Sequence, residues 1–176
     1  MLDAATHSRI IADISNVCRT ANIPQNMLWQ SATQYCSTVE LDWLRHFNVN
    51  KKQGRNLLLT GNHMVVPEVK MMSMAAALIR NFKDARLVTV NTIVDAHDDK
   101  VEIPDPSIMF IPNLYVRQGG KSLPSWKAQI IYDVLLDRLA SSKPVVAYVE
   151  DLEAMGKEYG NSFVQHFKAH YTISNS

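Results

Sequence analysis

The stretch that most limits how this chain can fold is a short apolar run followed by a long helix-forming segment. Residues Arg55–Gly61 read RNLLLTG, and residues Asn62–Arg80 read NHMVVPEVKMMSMAAALIR. A near-continuous apolar run of this kind is typical of a β-strand that is buried on both faces of a sheet. We therefore expect a strand, a loop and a helix in this order, with the rest of the chain arranged around them.

The loop of this unit departs from a phosphate-binding loop at the positions that carry the chemistry. A P-loop reads G-x-x-x-x-G-K-[ST], because backbone N–H groups and a lysine together hold the phosphates of a nucleotide. Gly61 supplies the first glycine, but Val66 and Pro67 stand where the second glycine and the lysine are expected. Valine does not readily adopt the backbone conformation of glycine, and proline offers neither an N–H group nor a positive charge. The pattern predicts a nucleotide-binding fold that has lost its nucleotide site.

The composition is that of an ordinary globular protein. The chain has 176 residues, 47% of them hydrophobic, and a formal net charge of +1. This length suits one domain with a sizeable core, and the small net charge excludes a global basic field for nucleic acid. No apolar run is long enough to span a membrane. Cys18 and Cys36 lack C-x-x-C spacing and no secretory signal is recognised, so we predict reduced thiols and a cytoplasmic location.

The first 54 residues have the pattern of helices that lead into the core. Residues 4–21 carry an apolar stripe that predicts one amphipathic helix, which Ile23-Pro24 ends because the residue before proline leaves the α region. A second helix is expected to start at Thr38, capped by Ser37 or Thr38. The segment Asn48–Gly54 is predicted to be a polar turn. We expect a helical N-terminal extension and lead-in over residues 1–54, followed by an α/β core over residues 55–176.

From Arg55 onward, short apolar runs alternate with helical segments, which indicates a parallel sheet covered on both faces. The predicted strands are Asn56–Thr60, Arg86–Val90, Ser107–Ile111, Pro144–Tyr148 and Tyr171–Ile173. The predicted helices are Pro67–Phe82, Trp126–Ser141, Asp151–Glu158 and Ser162–Ala169. The segment Asn91–Pro106 is polar and contains prolines, so we expect a loop with at most one helical turn. Gly119-Gly120-Lys121 predicts a flexible, exposed loop.

The order and spacing of several segments resemble one known family. Asp137-Arg138, the stretch Ala140–Pro144 before a strand, Glu150–Met155 and Gly160–Phe167 are similar to the end of the AAA+ core of DnaC/IstB-type helicase loaders and transposition ATPases. Leu57–Gly61 and Met74–Leu78 stand where that family has its first strand and P-loop helix. The resemblance implies a P-loop AAA+-like core with a five-stranded parallel sheet between helices, and we expect no lid domain.

At each position where the family carries catalytic chemistry, this sequence has a different residue. Pro112-Asn113 follows the predicted third strand in place of the acidic pair that holds magnesium and polarises the attacking water. Val149-Glu150 replaces the polar sensor, Ser162 stands at the arginine-finger position, and the next family arginine corresponds to His166. The resemblance therefore implies a pseudo-ATPase with no catalytic residue and no cofactor. The segment between the second and third strands is also expected to lack the helix that the family has there.

Three functions from different classes remain open on these observations. The leading hypothesis is a non-catalytic AAA+-like adaptor in DNA replication or mobile-element biology, which binds a replicative helicase or an active AAA+ relative. The second is an ATPase with an unorthodox loop that uses Lys70 with Glu68 or Glu150. The third is a DNA-binding or structural subunit that keeps the fold as a scaffold. Self-association also stays open, and no membrane partner is expected.

A few residues are candidates for contacts with these partners. Ile10 and Ile14 on the N-terminal stripe, Met71 on the P-loop helix and Trp126 are candidate interface residues, although core packing explains such residues as well. Lys51, Lys52 and Arg55 are candidate phosphate contacts, for which a solvated surface is the simpler explanation. Lys70 is expected on a solvated helix face, and the group His97-Asp98-Asp99 does not have the spacing of a metal site.

Overall fold

A computed structural model describes residues 1–116 and 124–175. Its centre is a five-stranded sheet in the order β2-β3-β4-β1-β5, and every paired strand runs parallel to its neighbour. The strands are β1 Asn56–Thr60, β2 Ala85–Leu87, β3 Ile108–Tyr115, β4 Val145–Val149 and β5 Tyr171–Ser174. The predicted parallel sheet is confirmed, and β1 is an interior strand, although β4 occupies the middle position.

Helices cover both faces of the sheet, as the apolar strands predict. The helices are α1 Ser8–Ala12, α2 Ile14–Ala21, α3 Thr38–Arg45, α4 Phe47–Lys52, α5 Pro67–Arg80, α6 Val90–Asp98, α7 Ser125–Ala140, α8 Leu152–Tyr159 and α9 Asn161–His170. Leu57 and Leu59 point to the face that carries α1–α5, whereas Leu58 points to the face that carries α6–α9. This alternation follows from the two-residue period of a strand, and it gives the domain one apolar layer on each side.

The N-terminal segment differs in detail from its prediction. The expected single helix over residues 4–21 consists of α1 and α2, which are separated at Asp13, and Asn22 ends α2 in a left-handed conformation with φ of 58°. The expected polar turn at Asn48–Gly54 is largely helix α4. It forms because Phe47 is buried and because the Asn50 side chain donates to the Trp43 carbonyl, 3.1 Å away, at the end of α3.

The apolar stripe of this segment lies against the chain's own core. Ile10 is buried, and Ile11, Ile14 and Val17 are partly buried against the cluster that contains Leu57 and Met74. Burying a large aliphatic side chain gives about 1.5–3 kcal/mol, so intramolecular packing accounts for the stripe. The expectation that Ile10 and Ile14 form a partner interface is therefore corrected for Ile10, which is only 7% exposed, and weakened for Ile14.

The segment between β2 and β3 contains a helix where the sequence predicted a loop. Helix α6 begins at Val90 and is capped by Thr89, whose hydroxyl accepts from the N–H of Thr92 at 3.2 Å. Val90, Ile93 and Val94 are buried against the sheet. The prolines at positions 104 and 106 come after this helix, so they do not interrupt it. The expected loss of a helix at this point is wrong.

Strand β3 is longer than predicted and is irregular. Ile111 pairs with Ala147 and Tyr115 pairs with Val149, so four steps along β3 match two steps along β4. The extra residues form a bulge that contains Pro112, which has no N–H group for regular pairing. The strand therefore ends at Tyr115 and not at Ile111.

Nothing in residues 1–116 and 124–175 extends beyond this sheet, its covering helices and the lead-in, so this part of the chain has no lid domain. None of the described helices is long and apolar enough to cross a membrane. The loop predicted at Gly119-Gly120-Lys121 lies outside the described residues.

Candidate functional site at the carboxyl edge of the sheet

The loop after β1 lies at the carboxyl edge of the sheet, where α/β proteins usually bind ligands. Gly61 starts this loop with φ of 83°, a conformation that favours glycine. Its N–H donates to the Glu150 carbonyl at 3.1 Å, and its carbonyl accepts from the Tyr148 hydroxyl at 3.1 Å. These two hydrogen bonds hold the start of the loop to the end of β4.

The first turn of α5 offers few backbone donors to a phosphate. Val66 is the residue before the helix and Pro67 is its first residue, so the first helical N–H is missing. The N–H groups of Val69 and Lys70 both donate to the Val66 carbonyl, at 2.9 and 3.2 Å. A phosphate at a helix N-terminus depends on such N–H groups being available. The loss of the nucleotide site at Val66 and Pro67 stays a prediction.

The lysine nearest to this loop is not on a solvated helix face, and this prediction is corrected. Lys70 and Glu40 form an ion pair with 3.1 Å between Nζ and Oε1, and their side chains are 5% and 0% exposed. A buried charge is tolerated only when it is paired and hydrogen-bonded. The charge of Lys70 is therefore balanced by a carboxylate of α3, within the protein.

Glu40 is held by polar groups from two other parts of the chain. Its Oε2 accepts from the backbone N–H of Ser37, the N-cap residue of α3, at 2.7 Å, which is the Glu40 half of a capping box. Its Oε1 accepts from the Ser174 hydroxyl at 3.0 Å. Because Ser174 ends β5 and Lys70 lies on α5, one carboxylate connects α3, α5 and the edge strand. We call Glu40, Lys70, His63 and Ser174 the internal ion cluster.

His63 brings the loop itself into this cluster. Its Nδ1 lies 3.1 Å from Lys70 Nζ, which has only hydrogens to donate, so Nδ1 accepts. Its ring also packs edge-on against Tyr148, with 5.9 Å between the ring centroids. Burial and the nearby Lys70 ammonium lower the pKa of His63, so the neutral ring is favoured. Lys70 thus fastens the loop at His63, while the neighbouring Met64 and Val66 remain exposed.

Pro112-Asn113, expected in place of the family's acidic pair, does not lie at the end of β3. Pro112 and Asn113 are inside the bulged strand, and the Asn113 side chain accepts from the N–H of Val90 at 3.1 Å. Tyr115 ends the strand, and its hydroxyl donates to Glu158 at 2.9 Å. The prediction that Pro112-Asn113 stands at the strand end is wrong because the bulge extends β3 beyond it. Glu150, at the predicted sensor position, is half-buried beside Gly61 and Tyr115.

The two positions expected for arginines differ in their surroundings. Ser162 is exposed in the first turn of α9. His166 is buried among the rings of Tyr132, Phe167 and Tyr171, among others. Burial first, and then the neighbouring His170, lower the pKa of His166 to about 4, so the ring is neutral near pH 7. Neither side chain provides a positive charge at the surface.

The remaining candidate residues are spread over the molecule. Met71 is fully buried in α5, so its predicted role in an interface is corrected to core packing. Trp126 is 51% exposed, and the ammonium group of Lys127 lies 5.2 Å from its ring centroid. Lys51, Lys52 and Arg55 are exposed, but they precede β1 and so lie at the opposite edge of the sheet from the loop.

One pocket lies away from the loop, and the candidate metal ligands do not converge on one point. A pocket of about 210 Å³ is lined by Asp105, Arg138 and Lys143 near the amino edge, where Asp105 already binds both cations. Nδ1 of His97 lies 3.5 Å from Oδ1 of the neighbouring Asp98. Within residues 1–116 and 124–175, no three side chains of His, Cys, Asp or Glu come together as metal ligands would.

The internal ion cluster is the feature that the sequence did not reveal. Ser37 and Glu40 have the spacing of a capping box, and this signal could have placed Glu40 at the start of α3. It could not have shown that Glu40 is buried, because the partners Lys70 and Ser174 are distant in sequence. Polar residues so far apart meet only through the packing of α3, α5 and β5.

No protein family and no curated protein matches the sequence itself. Solved structures do match the fold. A structure of DnaI has a TM-score of 0.60 at 11% identity, covering 87% of this chain and 94% of that one. AMPPCP-bound DnaA from Aquifex aeolicus has a TM-score of 0.58 at 6% identity, and a DNA replication initiation factor has 0.56 at 5%. These two matches cover 81% and 82% of this chain, which spans about half of each (49%).

Identities this low establish the fold alone. The five-stranded parallel sheet between helices and the match to these structures over most of this chain confirm the expected fold class. The chain has the α/β fold of AAA+-like P-loop proteins, the fold also found in DnaA and DnaI.

Proposed function

We propose that this chain is a non-catalytic AAA+-like adaptor that acts by protein binding in DNA replication or mobile-element biology. The observation that carries the proposal is the Glu40–Lys70 ion pair, because it commits the lysine nearest to the loop to an internal carboxylate. The start of α5 adds to it, since Pro67 has no N–H group and the N–H groups of Val69 and Lys70 donate to the Val66 carbonyl.

Binding of a nucleotide at this loop would be energetically unfavourable for two reasons. Its phosphates would need Lys70, whose separation from Glu40 would leave a buried carboxylate without its counter-charge. They would also meet the exposed side chains of Met64 and Val66 where a P-loop presents backbone. A protein that does not hydrolyse nucleotide cannot drive a cycle, and it acts only by binding one state of a partner better than another.

The fold matches are consistent with a role in replication, because the matched structures are named DnaA, DnaI and a DNA replication initiation factor. We propose a replicative helicase or a catalytically active AAA+ relative as the partner. Met64 is fully exposed and Val66 is 61% exposed, which is unusual for apolar residues in one loop and favours this loop as part of the contact surface. Trp126 is a second exposed anchor of the type found in interfaces.

Calorimetric titration with Mg-ATP tests the absence of a nucleotide site. We expect no heat of site binding for the wild-type chain. Micromolar affinity that disappears in Lys70→Ala but persists in Lys51→Ala would instead support the ATPase with an unorthodox loop. Lys51 is the matched control because it is an exposed lysine at the other edge of the sheet.

Affinity capture from the host, followed by mass spectrometry, identifies the partner. Met64→Asp should weaken capture of that partner, because it places a charge in the apolar contact. Val101→Asp is the control, since Val101 is also an exposed apolar residue, at 59%, but follows α6 on the other face of the sheet. Equal capture by both variants would contradict the loop as the contact surface.

Salt-dependent DNA binding that is lost when Lys51, Lys52 and Arg55 are replaced would favour the scaffold function instead.

A further inference from the structure

At least three hydrogen-bond donors from separate parts of the chain converge on one buried carboxylate. Lys70 Nζ and the Ser174 hydroxyl donate to Glu40 Oε1, at 3.1 and 3.0 Å, and the N–H of Ser37 donates to Oε2 at 2.7 Å. We propose that these donors form a carboxylate-binding site and that Glu40 is its tethered ligand. The chain thus contains an anion site that its own side chain keeps occupied.

The arrangement has the composition of an anion site. Among the described residues it contains one cation and two neutral donors, and Glu40 supplies a balancing negative charge. Charge-assisted hydrogen bonds of this type are stronger than neutral ones. The site is closed, because Glu40 is 0% exposed and Lys70 and Ser174 are buried. A ligand from solution therefore gains access only when the Glu40 carboxylate is removed or displaced.

The site also has a position that suits control of the loop. Lys70 contacts Glu40 on one side and His63 of the loop on the other. Loss of the carboxylate would leave the Lys70 ammonium without its counter-charge next to a loop whose Met64 and Val66 are exposed. The contact is therefore autoinhibitory with respect to anions: the internal carboxylate excludes external ones from Lys70.

Removing the Glu40 side chain beyond its β-carbon creates a space for a defined small molecule. Glu40→Ala deletes a methylene and a carboxylate, and acetate has the same carboxylate with one attached carbon. Binding of a ligand to the folded state raises its stability according to the ligand concentration. Acetate at about 0.1 M should therefore raise the unfolding temperature of Glu40→Ala by a few degrees, while chloride at equal ionic strength should not.

Two variants distinguish this site from a general effect of acetate. Glu40→Ala combined with Lys70→Met lacks the cation and should show no acetate effect. Met71→Ala creates an apolar cavity at the next residue of the same helix, where Met71 is fully buried, and should also show none. Acetate stabilisation of all three variants, or of none, would overturn the proposal. Inorganic phosphate is tested in parallel, and stabilisation by phosphate alone would overturn the assignment to a carboxylate.

A chemical readout does not depend on the stability of Glu40→Ala. An amine-acylating reagent should modify Lys70 of the folded wild-type chain at least about 100-fold more slowly than Lys51, because Lys70 is buried and paired. Glu40→Gln keeps the volume of the side chain but removes its charge, and Lys70 should then react faster than in the wild type. Rapid modification of Lys70 in the wild type, or unchanged protection in Glu40→Gln, would overturn the proposal.

The results of these experiments distinguish the carboxylate-binding site from the proposed adaptor function. Acetate rescue with no bound Mg-ATP supports both, whereas wild-type binding of Mg-ATP would refute the adaptor function. Loss of acetate rescue in a folded Glu40→Ala would refute the internal site and leave the test of partner binding unaffected.

Discussion

The ammonium group of Lys70 lies 3.1 Å from the carboxylate of Glu40, and neither side chain has appreciable contact with solvent. The two residues are 30 positions apart in sequence, on helices α5 and α3. Their contact fixes the lead-in segment to the helix that follows the loop, and through Ser174 it also reaches the edge strand β5. The lysine that contacts the loop at His63 is thus part of the internal structure.

The Glu40–Lys70 pair predicts strong coupling in a double-mutant cycle. Lys70→Met should lower the free energy of unfolding by about 3–5 kcal/mol, because it leaves the Glu40 carboxylate buried without its counter-charge. Glu40→Gln should be destabilising for the converse reason. Denaturant unfolding of the double variant should show a loss smaller than the sum of the two single losses. Additive losses would contradict a direct interaction between the two side chains.

The burial of His166 predicts a loss of stability in acid. Its pKa is lowered to about 4 in the folded chain, below its ordinary value of 6.5, so the unfolded chain binds the proton more readily between these values. The stability that His166 contributes is therefore present above about pH 6.5 and is lost as the pH falls towards 4, by about 3 kcal/mol in total.

His166→Phe should remove this part of the pH dependence, since phenylalanine suits the surrounding rings of Tyr132 and Phe167. Urea unfolding at several pH values measures the effect. His46→Gln, which replaces an exposed histidine, is measured in parallel as the control. A profile for His166→Phe that parallels the wild type would contradict the assignment.

Gly156 allows helices α8 and α9 to approach closely. A β-carbon built at Gly156 would lie 2.5 Å from Cγ2 of Val164, which is too short for non-bonded carbons. Gly156→Ala should therefore destabilise the chain by about 1–3 kcal/mol, although alanine is the better helix former. Combining it with Val164→Ala should recover at least about 1 kcal/mol relative to the sum of the single changes. Thermal unfolding of the four proteins measures this, and simple additivity would count against the clash.

Phe82 occupies a backbone position that normally belongs to glycine. Its φ is 56°, and it follows α5 in a Schellman motif in which Phe82 N–H donates to Ile79 and Lys83 N–H donates to Leu78. Its side chain is 61% exposed and stacks on His7. Both Phe82→Gly and Phe82→Ala remove this stacking, but only glycine relieves the backbone strain.

Phe82→Gly should therefore be more stable than Phe82→Ala by about 1 kcal/mol in denaturant unfolding. Comparison of the two variants cancels the lost ring contact, so the difference isolates the backbone. Equal stability would show that the left-handed conformation carries no strain at this position.

The order of strands and helices in the core could be predicted from local sequence. The run Leu57–Leu59 is apolar at successive positions because both faces of β1 are covered, and this property is visible without a partner strand. The absence of a P-loop lysine at Pro67 is equally a local fact. The prediction of a loop was wrong for α6, because the polar residues of its exposed face and the later prolines concealed the buried positions Val90, Ile93 and Val94.

The amino-acid sequence by itself determined the parallel α/β architecture and the loss of the P-loop pattern, because alternation of apolar runs and the residues of one loop are read over short distances. Only the tertiary structure decided where the charge of Lys70 goes, how far β3 extends, and that Ile10 belongs to the core. Each of these depends on which segments pack together. The burial and pairing of a side chain are set by neighbours that are distant in the chain, and no local pattern specifies them.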